Sequence, residues 1–354
     1  MNVSIDTNWL YMVRRGCARY VRGLLLGLDA LRPPDVRWTE VAWPVNNYAF
    51  RQPGRALRTL YRELVWARLA APAEIRRQQA DVLHVTHPLL AHARHPVKVT
   101  TLYDFAIMHN PERFRPWSRY RLKRYVPRIR ESDALVCISR FTADEAIRFA
   151  GVPPKKLFVT HLASEFTLND ARSREQAPPR ALPDTYFLFV GALEPGKNLN
   201  LMLRVYELAR QRRLTLPPLL VVGERMQGVA QEDAVSENLV YLGHVKDEEL
   251  MYLYRRAAAF VYPTKYEGFG LPVLEAMTLG CPVICSKVGS LPEVGGDAVR
   301  YADQQAEAYL EAMRELMDRS ALRQQLIQAG FGQAAQFSWK KCATETVEVY
   351  RHVN

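Results

Sequence analysis

No stretch of this chain approaches the roughly 20 apolar residues that a bilayer-spanning helix needs, which argues against an integral membrane protein of that kind. The opening residues, MNVSIDTNWLYMVRRG, lack the basic start and apolar run of a secretory signal, so a cytosolic protein is expected. Cysteine is scarce: Cys17, Cys137, Cys281, Cys285 and Cys342 form an odd set with no C-x-x-C pair. That pattern speaks against a disulfide framework and a zinc cluster, and favours reduced, mostly buried thiols. No D-x-D triplet occurs. Low-complexity tracts and short internal repeats are also missing.

What is present is a globular composition, 48% hydrophobic and 24% charged. At 354 residues the chain exceeds what one core usually fills, so two domains are expected. The net charge of +11 is uneven. Residues 1–170 hold 27 Lys/Arg against 15 Asp/Glu, a balance of +12, whereas residues 171–354 hold 21 against 22. The densest basic stretch, RFRPWSRYRLKRYVPRIR from Arg113 to Arg130, interleaves aromatic residues. Such a patch suits nucleic acid, an anionic membrane or an acidic small molecule. It equally suits a solvated face whose arginine stems cover apolar surface.

Apolar periodicity gives the organisation. Residues 2–6 alternate as a short strand, VRRGCARY reads as a glycine-containing loop, and YVRGLLLGLDAL has helical spacing. ADVLHVTH, VKVTTLYD and KKLFVTHLA read as strands, and SDALVCISRFTADEAIRFAG as a strand followed by a Thr142-capped helix ending at Gly151. Residues 167–183 are polar, rich in proline and without periodicity, which marks a linker. Strand–helix alternation then restarts with TYFLFVGAL and runs through PPLLVVG, NLVYLGHV, AAFVYP and CPVICS. FSWKKCATETVEVYRHV closes the chain as an amphipathic helix. Alternation on this scale predicts two α/β halves, each a parallel sheet covered on both faces. Ligands in such sheets bind beyond the carboxyl ends of the strands.

The stretch KYEGFGLPVLEAM carries the most chemistry. Gly268 and Gly270 let the backbone approach a ligand, and Pro272 suits the first turn of a helix starting near Leu271. The helix N-terminus offers free N–H groups and partial positive charge to a phosphate. Glu267 precedes the turn and Glu275 lies about one turn into the helix. A diphosphate flanked by two polyols, as in a nucleotide sugar, matches that spacing. The plainer reading is that both acids cap and solvate a helix start.

EGFGLPVLE resembles the E-x7-E signature of family 4 retaining glycosyltransferases. VGALEPGKNLNLML, LVCISRFTADEAI, VRRGCARY and FSWKKCATETVEVY resemble further segments of that family, so the likeness spans nearly the whole chain. The resemblance implies a GT-B fold: two doubly wound Rossmann-like domains facing a central cleft. Residues 1–166 would form an acceptor-binding domain and residues 184–335 a nucleotide-sugar-binding domain, with residues 336–354 a helix returning to the first. It further implies that Glu267 holds donor-sugar hydroxyls, Glu275 the ribose, and Lys197 the diphosphate. The backbone around Gly268, Phe269, Gly270 and Leu271 would contact sugar and phosphates, Val245 would lie near the base, and the loop at Gly16 over the cleft. Asp104, at a strand end, would contact sugar or acceptor or else cap a helix or loop, with Tyr103 and His109 on the acceptor side. The chain departs from the family pattern at Ala192 and Gly196, where relatives carry arginine, at Tyr103 in place of histidine, and at Ala18 in place of glycine.

The resemblance implies transfer of a hexose, namely mannose from GDP-mannose, to a glycan or lipid-linked acceptor in surface polysaccharide synthesis, with no cofactor and no metal. Peripheral contact with an anionic membrane on its inner face follows from the basic first half; nucleic acid is not an expected partner. A nucleotide-sugar epimerase of similar shape and a nucleic-acid binder using Arg113–Arg130 are the alternatives. His84, His87, His92 and His95 tempt a metal reading, but two prolines interrupt them and no cysteine or paired acid joins them.

Overall fold

The computed structural model describes residues 1–12, 16–43, 45, 54–90, 93–95, 97–109, 125–167, 169–170, 181–224 and 238–354. These fall into two compact units, one drawn from Met1–Pro111, Pro116–Ala163 and Ser338–Asn354, the other from Ser164–Phe337. Residues 113–124 of the basic stretch, His92, and residues 168 and 171–180 of the expected linker lie outside the described residues.

The first unit is built on six parallel strands: β1 (Asn2–Asp6), β2 (Arg37–Val41), β3 (Val82–Val85), β4 (Lys98–Leu102), β5 (Ala134–Cys137) and β6 (Leu157–Val159). Their order is β2-β1-β3-β4-β5-β6. Around them lie α1 (Gly16–Leu31), a long helical stretch over Arg55–Tyr61, Arg62–Ala70 and Ala71–Arg77, α2 (Arg140–Ala150) and, from the end of the chain, α9 (Trp339–Val353).

The second unit has strands β7 (Phe187–Val190), β8 (Leu219–Val222), β9 (Leu239–Gly243), β10 (Ala259–Tyr262), β11 (Val283–Ser286) and β12 (Arg300–Ala302). Its order is β12-β11-β10-β7-β8-β9, again wholly parallel. Read from its own first strand, that is the 3-2-1-4-5-6 order of the dinucleotide-binding folds, reversing between β7 and β10. Helices α3 (Leu199–Gln211), α4 (Asp247–Arg256), α5 (Leu271–Thr278), α6 (Leu291–Gly295), α7 (Ala306–Asp318) and α8 (Ser320–Ala334) complete it.

Interior strands such as VLHV, ALVC, LLVV, AFVY and VICS are buried along their whole length, as expected where helices cover both sheet faces. Edge strand β2 (RWTEV) is largely exposed and carries little apolar signal, which is why it is absent from the sequence reading. Two local expectations are corrected. Gly16 and Ala18 do not lie in a loop: both are helical, because Ala18, Val21, Leu24 and Leu28 make one buried face of α1. Ser139, not Thr142, caps α2, its hydroxyl accepting from the Thr142 N–H at 3.1 Å.

The closing helix α9 is locked into the first unit by packing and by a buried polar chain. A Cβ on Gly23 would lie 2.2 Å from the Trp339 ring, so only glycine lets α1 and α9 approach this closely. His84 on β3 bonds Tyr350 of α9 at 2.6 Å through Nδ1 and Thr101 of β4 at 2.7 Å through Nε2, and the Tyr20 hydroxyl meets Thr101 at 3.0 Å. Burial pushes the His84 ring down to about 3, keeping it neutral.

Candidate active site

At the reversal point of the second sheet, the chain leaves β7 and β10 side by side, and two loops rise from their carboxyl ends. The β7 loop passes through Glu194 and a single 3-10 turn, Pro195–Lys197, before α3. The β10 loop is PTKYEGFG, ending at Gly270, the N-cap of α5. The loops are stitched together by backbone. Lys265 N–H and the Thr264 hydroxyl donate to Gly196 O at 2.8 and 3.0 Å, and Asn198 Nδ2 donates to Pro263 O at 3.1 Å. Gly270 has φ 100°, and a Cβ there would meet Leu291 Cδ2 at 2.5 Å, so the turn into α5 requires glycine twice over.

This stitching brings Lys197 and Glu267 together across 70 residues of sequence. The Lys197 ammonium is ion-paired with Glu267 Oε1 and lies 5.3 Å from the centroid of the Tyr262 ring. The same carboxylate oxygen accepts from the Tyr262 hydroxyl at 2.6 Å, while the Thr264 hydroxyl, whose proton goes to Gly196 O, lies 3.3 Å away. Two donors, the Lys197 ammonium and the Tyr262 hydroxyl, therefore converge on Oε1. The backbone of Glu267 is fixed as well, its carbonyl accepting from the N–H and hydroxyl of Ser290, both at 3.1 Å. A carboxylate held on one oxygen by charge-assisted bonds presents its other oxygen in a set direction, ready to accept from a polyol.

Phe269, Gly270 and Leu271 are buried at the start of α5, Phe269 packing edge-on to Phe337 with ring centroids 6.0 Å apart. Pro272 occupies the first turn, so the early N–H groups of α5 are free of a side-chain cap. Glu275 follows in that helix and is only 1% exposed, with the Tyr254 hydroxyl 3.4 Å from its Oε2. A buried acid so near a helix N-terminus goes beyond what capping needs. Val245 is buried between β9 and α4, two strands from β7. Tyr262, Thr264, Asn198 and Ser290 were missed by sequence reasoning. Tyr262 ends a buried strand with its only polar atom at the loop, a pattern that can be read from AFVYP.

The remaining expected residues lie in the first unit. Asp104 is exposed and accepts from Ala106 N–H at 3.0 Å, capping the short helix Ala106–His109. His109 is hydrogen-bonded through Nε2 to Glu145 of α2 and packs edge-on to Phe149 at 5.3 Å. Tyr103 leans on Trp9 and Tyr20 at 6.1 and 5.6 Å, and its buried hydroxyl has no hydrogen-bond partner among the described residues. Gly16 begins α1.

The first sheet has its own reversal point, between β1 and β3, and it is also built from polar groups. Asp6, fully buried, accepts from Asn8 N–H at 3.0 Å, Asn8 Nδ2 at 2.6 Å and His87 N–H at 2.9 Å. Burial nonetheless pushes its carboxyl up to about 6. Trp9 donates through Nε1 to Thr86 O at 2.8 Å and meets the His87 ring at 4.3 Å. His84, His87 and His95 each hydrogen-bond within the fold, His95 reaching Val97 O and Ala80 O at 2.7 and 3.0 Å.

The profile of glycosyl transferases group 1 matches residues 171–333, and that of glycosyltransferase family 4 matches residues 11–163. O-antigen chain mannosyltransferase B of Escherichia coli is 36% identical over 275 residues, covering 72% of this chain and 70% of that protein. The chain belongs to glycosyltransferase family 4. It is thus an enzyme of a family of retaining hexosyltransferases. The fold of this family 4 enzyme is GT-B. Sucrose-phosphate synthase from Thermosynechococcus elongatus superposes with a TM-score of 0.74 at 17% identity, over 99% of this chain and 98% of that one. HepE of Anabaena, solved with UDP-glucose, gives 0.68 at 15% identity, over 99% and 100%.

Proposed function

We propose that this family 4 enzyme transfers mannose from GDP-mannose, with retention, to a lipid-linked glycan during assembly of a surface polysaccharide. The observation that carries the reading is the convergence of Lys197 and Tyr262 on one oxygen of Glu267, beside an uncapped helix N-terminus at the reversal point of the second sheet. A cation, a preset carboxylate and a helix N-terminus without a side-chain cap, on adjacent loops, match a diphosphate carrying a sugar. The kinship with an O-antigen mannosyltransferase supports mannose and a glycan acceptor. HepE was solved with a nucleotide sugar in the same fold.

In this reading the bond between the anomeric carbon and the diphosphate oxygen breaks while the acceptor hydroxyl attacks from the same face. The acceptor proton passes to a diphosphate oxygen, and GDP leaves. Lys197 and the positive N-terminal end of α5 stabilise the charge gathering on the diphosphate, and Glu267 holds sugar hydroxyls through Oε2. Glu275 accepts from the ribose. Ala192 and Gly196 leave Lys197 to supply cationic charge that relatives share with arginines. Asp104 and Tyr103 would face the acceptor, with His109 bracing their loop through Glu145.

A thermal-shift panel of GDP, UDP, ADP and dTDP, with and without their sugars, tests the donor. A ligand at a hundred times its dissociation constant adds about 2.7 kcal/mol of stability. Stabilisation by GDP and GDP-mannose, weakened in Lys197→Ala, is the expected result. Stabilisation by another nucleotide alone refutes the donor assignment. Conversion of GDP-mannose to an isomer without an acceptor refutes transfer.

A further inference from the structure

Eleven large hydrophobic side chains are exposed among the described residues, and six of them lie within 13 positions of one helical stretch: Leu57, Leu60, Tyr61, Leu64, Val65 and Leu69. Leu57 and Leu69 are 71% and 66% exposed. The opposite side of the stretch is already satisfied. Trp66, Ala67, Ala71 and Ile75 bury in the first unit's core against Leu83, Leu89 and Leu90. A helix with two apolar sides, one of them open, is an interaction surface.

Charge decides what covers it. Residues 55–77 contain six arginines against Glu63 and Glu74, and Arg68, Arg76 and Arg77 are exposed. Apolar side chains flanked by arginine match the headgroup boundary of an anionic bilayer, where the leucines enter and the arginines meet phosphates. A second copy fits poorly, since the first 170 residues carry +12 and would meet their own charge. We propose that the Leu57–Leu69 face docks this enzyme on an anionic lipid surface. The docking stands independently of the donor; its use in presenting a lipid-linked acceptor rests on the proposed function.

The test is flotation of the full chain with vesicles of phosphatidylcholine containing phosphatidylglycerol, against pure phosphatidylcholine, at low and high salt. Wild type should float with the anionic vesicles and release at high salt, each engaged arginine being worth about fivefold. Leu57→Asn/Leu64→Asn, at exposed positions, should keep the unfolding midpoint and lose about tenfold or more in binding per leucine. Leu60→Asn/Leu69→Asn should behave alike. Undiminished floating of both variants overturns the proposal. So does a wild type that ignores vesicles, including one that forms a dimer which the variants abolish. Transfer to a water-soluble acceptor separates the readings. Variants that keep that activity and lose vesicle binding support the surface, whereas failure of wild type to transfer, with vesicle binding intact, counts against the function alone.

Discussion

Removing one oxygen atom, in Tyr262→Phe, isolates how Glu267 is aimed. Tyr262 is fully buried, its ring stacks on Phe260 at 5.3 Å and carries the Lys197 ammonium, and phenylalanine keeps both contacts. Only the 2.6 Å bond to Glu267 Oε1 is deleted, while Lys197 still holds that oxygen. A hydrogen bond to a charged group contributes about 1.5–3 kcal/mol, and the surviving ion pair with Lys197 places this loss at the low end. Because Glu267 faces the sugar in the proposed function, the loss should appear in ligands that carry one. Titration calorimetry should give GDP an affinity within about twofold of wild type, and GDP-mannose an affinity weaker by roughly tenfold. An equal loss for both ligands would mean that Tyr262 only supports the loop. No loss for either would mean that Lys197 alone suffices, and would refute the positioning role of Tyr262.

Lys197→Ala should lower kcat by about 10²–10³-fold, the usual cost of removing a donor to developing charge, with the unfolding midpoint little changed; a small kinetic effect would move the leaving-group role to the backbone. Gly270→Ala should destabilise the second unit by about 1–3 kcal/mol, from the strained φ and the contact with Leu291, as read by denaturant midpoint. Two buried groups of the first unit act in opposite directions with pH. His84 is neutral when folded and protonated when unfolded between its value of about 3 and its ordinary value, so its contribution is present at neutral pH and lost on acidification. Asp6 is protonated when folded up to about 6 while the unfolded carboxyl ionises first, so its contribution is present in acid and lost as pH rises through that value. Between pH ~4 and ~6 each term has a slope of about 1.4 kcal/mol per pH unit, and the two nearly cancel. His84→Gln should make stability fall with rising pH across that window, and Asp6→Asn should make it rise; unchanged slopes in urea titrations would contradict the assigned burial.

The loop–helix around KYEGFGLPVLEAM was legible because glycine and proline fix backbone conformation locally, and the observed start of α5 at Leu271 follows from them. Interior strands were legible for a related reason, since burial on both faces makes them short unbroken apolar runs. Edge strand β2 lacks that pressure, so RWTEV reads as surface. The partnership of Lys197 with Glu267 could be named only through resemblance, because the adjacency of β7 and β10 is a property of the sheet and not of any local pattern. Tyr262 was missed although AFVYP carries its pattern, and Thr264 was invisible as an anchor, since a sequence does not say where a hydroxyl points. Gly16 misled: a glycine beside arginines resembles a loop, yet the apolar spacing after it extends the helix back to that residue. The exposed Leu57–Leu69 face was hidden too, because leucines at helical spacing look like core until the buried side is seen to be occupied by Trp66 and its neighbours.

The most direct measurement is nuclear magnetic resonance of the product formed from GDP-mannose and a mannose-terminated lipid-linked acceptor, with wild type and Lys197→Ala side by side. The account predicts a new mannosidic linkage with the anomeric configuration of the donor, formed by wild type and nearly absent with the variant. An inverted linkage, or equal product from both proteins, would contradict it.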